Sequence, residues 1–154
     1  ATKNGKSVKG FEYHEAFHAV FRMMLTDSQI YKYLKSAEEL YGAPNDTQLE
    51  ELRNSSSDLI NLSKNELKNL WLEEKMADAF MEYMKSNKPV PQSWLRRIFE
   101  RIKNLLKGIF DKNNDTQLTI DDQIDEYIYL LGLESDIAQS KLSDLFKVLQ
   151  IVID

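Results

Sequence analysis

The chain of 154 residues contains no cysteine, which excludes disulfides and thiolate chemistry and fits a reducing compartment. Five glycines and three prolines are too few for a turn-rich β fold. No apolar run approaches the roughly 20 residues that a membrane-spanning helix needs. No signal-peptide pattern is present either, so export by that route in this form is not expected. Histidine is scarce too, with only two in the chain. Ala1 opens a polar, basic lead over residues 1–9, which reads as flexible and as the start of a fragment of something longer.

What is present points to helices. Apolar residues make up 42% of the chain and charged residues 29%, an ordinary balance for one globular domain with a real core. The formal net charge of −5 makes the whole a poor polyanion binder, so no nucleic-acid partner is expected. The charge is unevenly spread. Counting Lys and Arg against Asp and Glu, residues 1–91 carry −2, 92–110 carry +4 and 111–154 carry −7.

Phe11, Phe17, Val20, Phe21, Met24 and Leu25 recur at three- and four-residue spacing, which predicts a first helix from about Phe11 to Met24. A second follows, with Thr26 or Asp27 as N-cap and Gly42 as its stop. Residues 43–62 are more polar and hold a short helix between loops. Ser63 and Glu66 form a capping box that opens a long helix ending near Asn87. Two prolines in "KPVPQS" mark a hinge before an amphipathic helix over 93–110. A last pair is expected from about Ile120 and Asp136. No segment alternates with period two, and the expected fold is all-α with about six helices. Residues 1–91 read as the core and 92–154 as a helical extension packed on it.

The two histidines fall in "YHEAFH". His14 and His18 stand at i and i+4 on one helix, so both imidazoles lie on one face, a turn apart. Two such imidazoles can share a Zn²⁺, with Glu15 as general base for the water that the metal acidifies. Phe17, Phe21 and Met24 place the pair beside a buried stripe, where imidazoles need partners. A catalytic zinc needs a third protein ligand, and without Cys or a third His that ligand must be a carboxylate. "LEEKMADAF" on the long helix offers Glu74, with Asp78 one turn on to accept an imidazole N–H. Glu66 and Glu82 are weaker candidates, and Glu73 is expected on a solvated edge.

"HEAFH" followed on a later helix by "EEKMADAF" resembles the gluzincin arrangement of metallopeptidases. That resemblance implies His14, His18 and Glu74 as metal ligands, Glu15 as general base and Asp78 as the residue orienting a ligand histidine. "YHEAFHAVFRMMLTDSQ", "LEEKMADAFMEY" and the basic "WLRRIFERIKNLLKGIF" together are similar to zincin-like peptidase domains of very large phage polyvalent proteins. It covers roughly residues 10–110. It implies a zinc metallopeptidase acting on polypeptide, with its own parent polyprotein among the substrates, in the cytoplasm or the virion. His18 is followed by Ala-Val-Phe-Arg, which excludes the metzincin extension. The chain has no further histidine for an oxyanion, leaving Tyr13, Tyr41, Tyr83 or Arg22 for that task. The rival expectations are a zinc-stabilised helical scaffold or virion-cargo module without turnover, and a metal-free interaction domain.

Two further segments have readings of their own. In 93–110, Leu95, Ile98, Phe99, Ile102, Leu105 and Leu106 form an apolar stripe, joined by Trp94, Ile109 and Phe110. Arg96, Arg97, Arg101, Lys103 and Lys107 lie opposite. The pattern predicts a core helix with exposed charges ahead of a membrane or partner contact, and a nucleic-acid groove last. "DKNNDTQLTIDD" imitates a calcium loop at Asp111, Asn113, Asp115 and Leu118. Thr116 stands where glycine is needed and Asp122 where glutamate is, so a plain interhelical loop with Thr119 as N-cap is the expectation.

Overall fold

The computed structural model describes residues 9–86 and 88–110, together with Ser140, Asp144, Leu145, Lys147 and Val148. The fold is all-α, with no strand among the described residues. In chain order come α1 (Lys9–Met24), α2 (Asp27–Tyr41), α3 (Asp46–Arg53), a 3-10 turn (Ser57–Leu59), α4 (Lys64–Ser86) and α5 (Ser93–Phe110). Of the helix pair expected from about Ile120 and Asp136, the first lies outside the described residues, and the described residues of the second, Ser140, Asp144, Leu145, Lys147 and Val148, are helical, with Leu145 fully buried.

Local chemistry sets the helix starts. At α2 the Thr26 hydroxyl accepts from the Gln29 N–H at 3.1 Å, and Gln29 Oε1 accepts from the Thr26 N–H at 2.8 Å. Asn45 and Gln48 repeat this exchange at α3, at 2.8 and 2.9 Å. Ser63 and Glu66 repeat it at α4, at 2.9 and 3.1 Å. Each exchange satisfies two backbone donors that the first helical turn would otherwise strand. Gly42 ends α2 with φ 82°, a conformation that glycine adopts without penalty.

The chain forms two compact units, and their boundary falls inside α4. One unit takes α1 with Leu25 and the chain from Phe80 onward. Its core is aromatic: Phe99 lies 5.3 Å from Phe80, 5.5 Å from Tyr83 and 6.1 Å from Phe17 between ring centroids. Edge-to-face and tilted pairs of this kind fix relative orientation more sharply than aliphatic packing does. Leu95, Ile98, Ile102, Leu105 and Leu106 are buried with Phe99, so the apolar stripe of α5 is core. Its exposed face carries Arg96, Arg97 and Arg101.

The other unit is Thr26–Ala79. Ala37, Leu49, Leu67, Leu72, Met76 and Ala77 are its buried apolar residues, and polar links support so small a core. Arg53 holds the 3-10 segment by donating to the carbonyls of Ile60 at 2.7 Å and Leu62 at 2.9 Å. Ion pairs join Lys64 to Asp46 at 3.3 Å and Lys68 to Glu38 at 2.9 Å. No helix among the described residues is long and apolar enough to cross a membrane.

Candidate metal centre

Helix α1 carries both imidazoles on rigid backbone. His14 and His18 meet edge to face with ring centroids 4.8 Å apart, the approach that i, i+4 spacing allows. Their footing is the aromatic core. Phe17, between them in sequence, stacks on Phe21 at 5.4 Å and is fully buried, as are Ala16, Val20 and Met24. His18 is buried at 7% exposure, and the His14 side chain is 16% exposed.

Glu15 sits at the rim with 40% of its side chain exposed. One of its carboxylate oxygens lies 3.3 Å from His14 Nδ1. A carboxylate only accepts, so in that contact His14 Nδ1 is the donor.

Helix α4 supplies the acidic residues. Glu74 is half-buried and Asp78, one turn on, is exposed. One ligand atom each from His14, His18 and Glu74 lies within 4.8 Å of the other two, a grouping able to hold a metal ion. Glu15 and Asp78 are not members of that group. Burial first, and the negative charge of Asp78 second, push the Tyr41 phenol above its ordinary value, which keeps it a protonated donor.

The two weaker candidates are not members of the group either: Glu66 closes the α4 capping box with its carboxylate, and Glu82 is exposed. Glu73 departs from the expected solvated edge: it is buried at 8% exposure. The reason is rotational. At 100° per residue Glu73 falls on the same arc of α4 as Met76, Ala77 and Phe80, all fully buried. The spacing 73, 76, 77, 80 was the signal that could have revealed this.

Among the residues considered for an oxyanion, Tyr83 is committed elsewhere. Its hydroxyl donates to Glu100 Oε2 at 2.6 Å, and Lys103 lies over its ring at 5.5 Å. Burial and that bond push its pKa up to about 12. Tyr13 packs edge-on to Phe80 at 6.5 Å, and Arg22 is exposed in the last turn of α1. The calcium-loop imitation at 111–122 lies outside the described residues. No protein-family model, curated protein or solved structure matches the chain.

Proposed function

We propose that the chain is a zinc-dependent metallopeptidase that holds its metal on His14, His18 and Glu74 and uses Glu15 as general base. The observation that carries the reading is the approach of three ligand-type atoms to within 4.8 Å of one another. Ligand atoms of a tetrahedral zinc with bonds of about 2.1 Å stand about 3.4 Å apart, so each of the three needs to move inward by about 0.8 Å at most. Small side-chain rotations supply that. The donor set fits as well, because two neutral imidazoles and one carboxylate suit zinc better than the all-oxygen cations.

Zinc held there supplies Lewis acidity, which brings the pKa of water toward 7 and polarises a carbonyl. The rest falls to the protein. Glu15 has one carboxylate oxygen on His14, which leaves the other to take a proton and return it to the leaving amine. Nδ1 donates in that contact, which would leave Nε2 as the His14 nitrogen for the metal. On this reading Asp78, one turn beyond Glu74 in the sequence, accepts an imidazole N–H. With Tyr83 committed to Glu100, the donors the chain offers a developing oxyanion are Tyr13, Tyr41 and Arg22. On this reading the substrate is a polypeptide, and the resemblance to phage polyvalent proteins makes a parent polyprotein the first to try.

Elemental analysis of protein prepared without chelator tests the metal, and Glu15→Gln tests the chemistry. About one zinc per chain is expected in both proteins, with cleavage of a quenched fluorescent peptide library reduced about a hundredfold or more in the variant. Protein without zinc overturns the reading. Zinc in a wild-type chain that cleaves nothing assigns it to a zinc-stabilised scaffold instead.

A further inference from the structure

The seam joined by the Lys68–Glu38 ion pair is lined in an unusual way. From α2 it receives Tyr31, Leu34, Lys35 and Glu38, and from α4 it receives Asn65, Lys68, Asn69 and Leu72. Both sets are spaced i, i+3, i+4, i+7, the repeat with which a helix normally turns an apolar stripe to its neighbour. Here only two of the eight are aliphatic, and a cavity of about 330 Å³ lies open between them. Polar groups keep their hydration when a seam stays open and lose it when the seam closes, so this lining favours an open groove. It is separate from the metal centre. Leu72 precedes Glu74 by two residues, about 160° around the helix, so the groove occupies the opposite side of α4.

Its chemistry selects a ligand. Lys68 is largely neutralised by Glu38 at 2.9 Å, which leaves Lys35, exposed in the same groove, as the net positive charge. Asn65 and Asn69 stand one turn apart, about 6 Å along the axis. An extended peptide presents equivalent main-chain groups every second residue, at about 6.6 Å. A carboxamide both donates and accepts, as a peptide unit does, so two at this spacing can pair with alternate residues of any extended chain. Tyr31, 66% exposed at the rim, adds a ring for an apolar side chain to cover.

We propose that this groove docks an extended, acidic stretch of polypeptide, with its main chain on Asn65 and Asn69 and a carboxylate opposite Lys35. The proposal stands apart from the zinc reading, since no groove residue belongs to the metal group.

Fluorescence anisotropy on the full chain tests it, with a labelled octapeptide of alternating Thr and Asp as probe and a Thr/Lys octapeptide as control. Saturable binding of the acidic probe is expected, about tenfold or more tighter than the control. Asn65→Ala should weaken it about three- to tenfold, the loss of one or two hydrogen bonds. Lys35→Glu should reverse the preference between the probes. Both side chains are exposed, so both variants should keep wild-type circular dichroism and zinc content. Equal affinity for the two probes, absence of saturation, or an unchanged preference in a folded Lys35→Glu protein overturns the proposal.

Discussion

Removing the Tyr83 hydroxyl, by Tyr83→Phe, separates a structural role from a catalytic one. The hydroxyl donates to Glu100 at 2.6 Å, a short bond to a charged acceptor that joins the end of α4 to α5. Neutral hydrogen bonds contribute about 0.5–1.5 kcal/mol and those to charged groups about 1.5–3. Glu100 is exposed, so water competes for its carboxylate and the low end applies, about 1–1.5 kcal/mol. For a protein of this size that is a drop in Tm of about 3–6 °C near neutral pH.

The pH dependence carries a sign. The folded state holds the phenolic proton more tightly than the unfolded chain does, with a pKa of about 12 against the ordinary 10. The contribution is therefore whole below pH 10 and lost as pH rises toward 12. Thermal melts by circular dichroism from pH 8 to 11 should show the wild-type advantage over Tyr83→Phe shrinking above pH 10. Zinc content and any peptidase activity at pH 8 should not change. A variant that melts with the wild type at pH 8, or a gap that widens at high pH, would refute the clamp.

Phe99→Ala removes a fully buried ring in contact with three others and should destabilise the chain by about 3–5 kcal/mol, read from urea midpoints. Gly42→Ala meets no atom within 4 Å, yet φ 82° with ψ 161° disfavours any side chain, so a loss of about 1–3 kcal/mol is expected from backbone strain alone. Ser63→Ala, at the exposed start of α4, should lower stability by about 1 kcal/mol in the same assay. If zinc binds as proposed, a chelator should lower the Tm of wild-type protein and leave that of His18→Ala unmoved, measured by differential scanning fluorimetry.

The helices were readable because their signals are local. Thr26, Gly42 and Ser63 act on their own neighbours, and the α5 stripe repeats strictly enough to mark its buried side. His14 and His18 were readable for the same reason, since a helix fixes the relation of i to i+4 without help from elsewhere. Glu74 came from chemical need, because two imidazoles call for a third ligand and the chain offers carboxylates. Glu73 was misplaced because two adjacent glutamates look alike until each is assigned to an arc of the helix. The Tyr41–Asp78 and Tyr83–Glu100 couplings were not legible at all. Both join residues on different helices, and nothing in the local pattern of either partner names the other. The polar groove between α2 and α4 has the same cause, as each of its stripes reads alone as a solvated face.

The three reciprocal caps carry an engineering consequence. Because Thr26, Asn45 and Ser63 each begin a helix through contacts made within four residues, the start of each helix does not depend on the length of the connection before it. Doubling a flexible connection costs only about 0.6 kcal/mol in closure entropy. The exposed stretch between Gly42 and Asn45 is therefore a natural place to splice in a tag or reporter. An insert there should leave α2 and α3 in register, with both groove stripes and both histidines where they were.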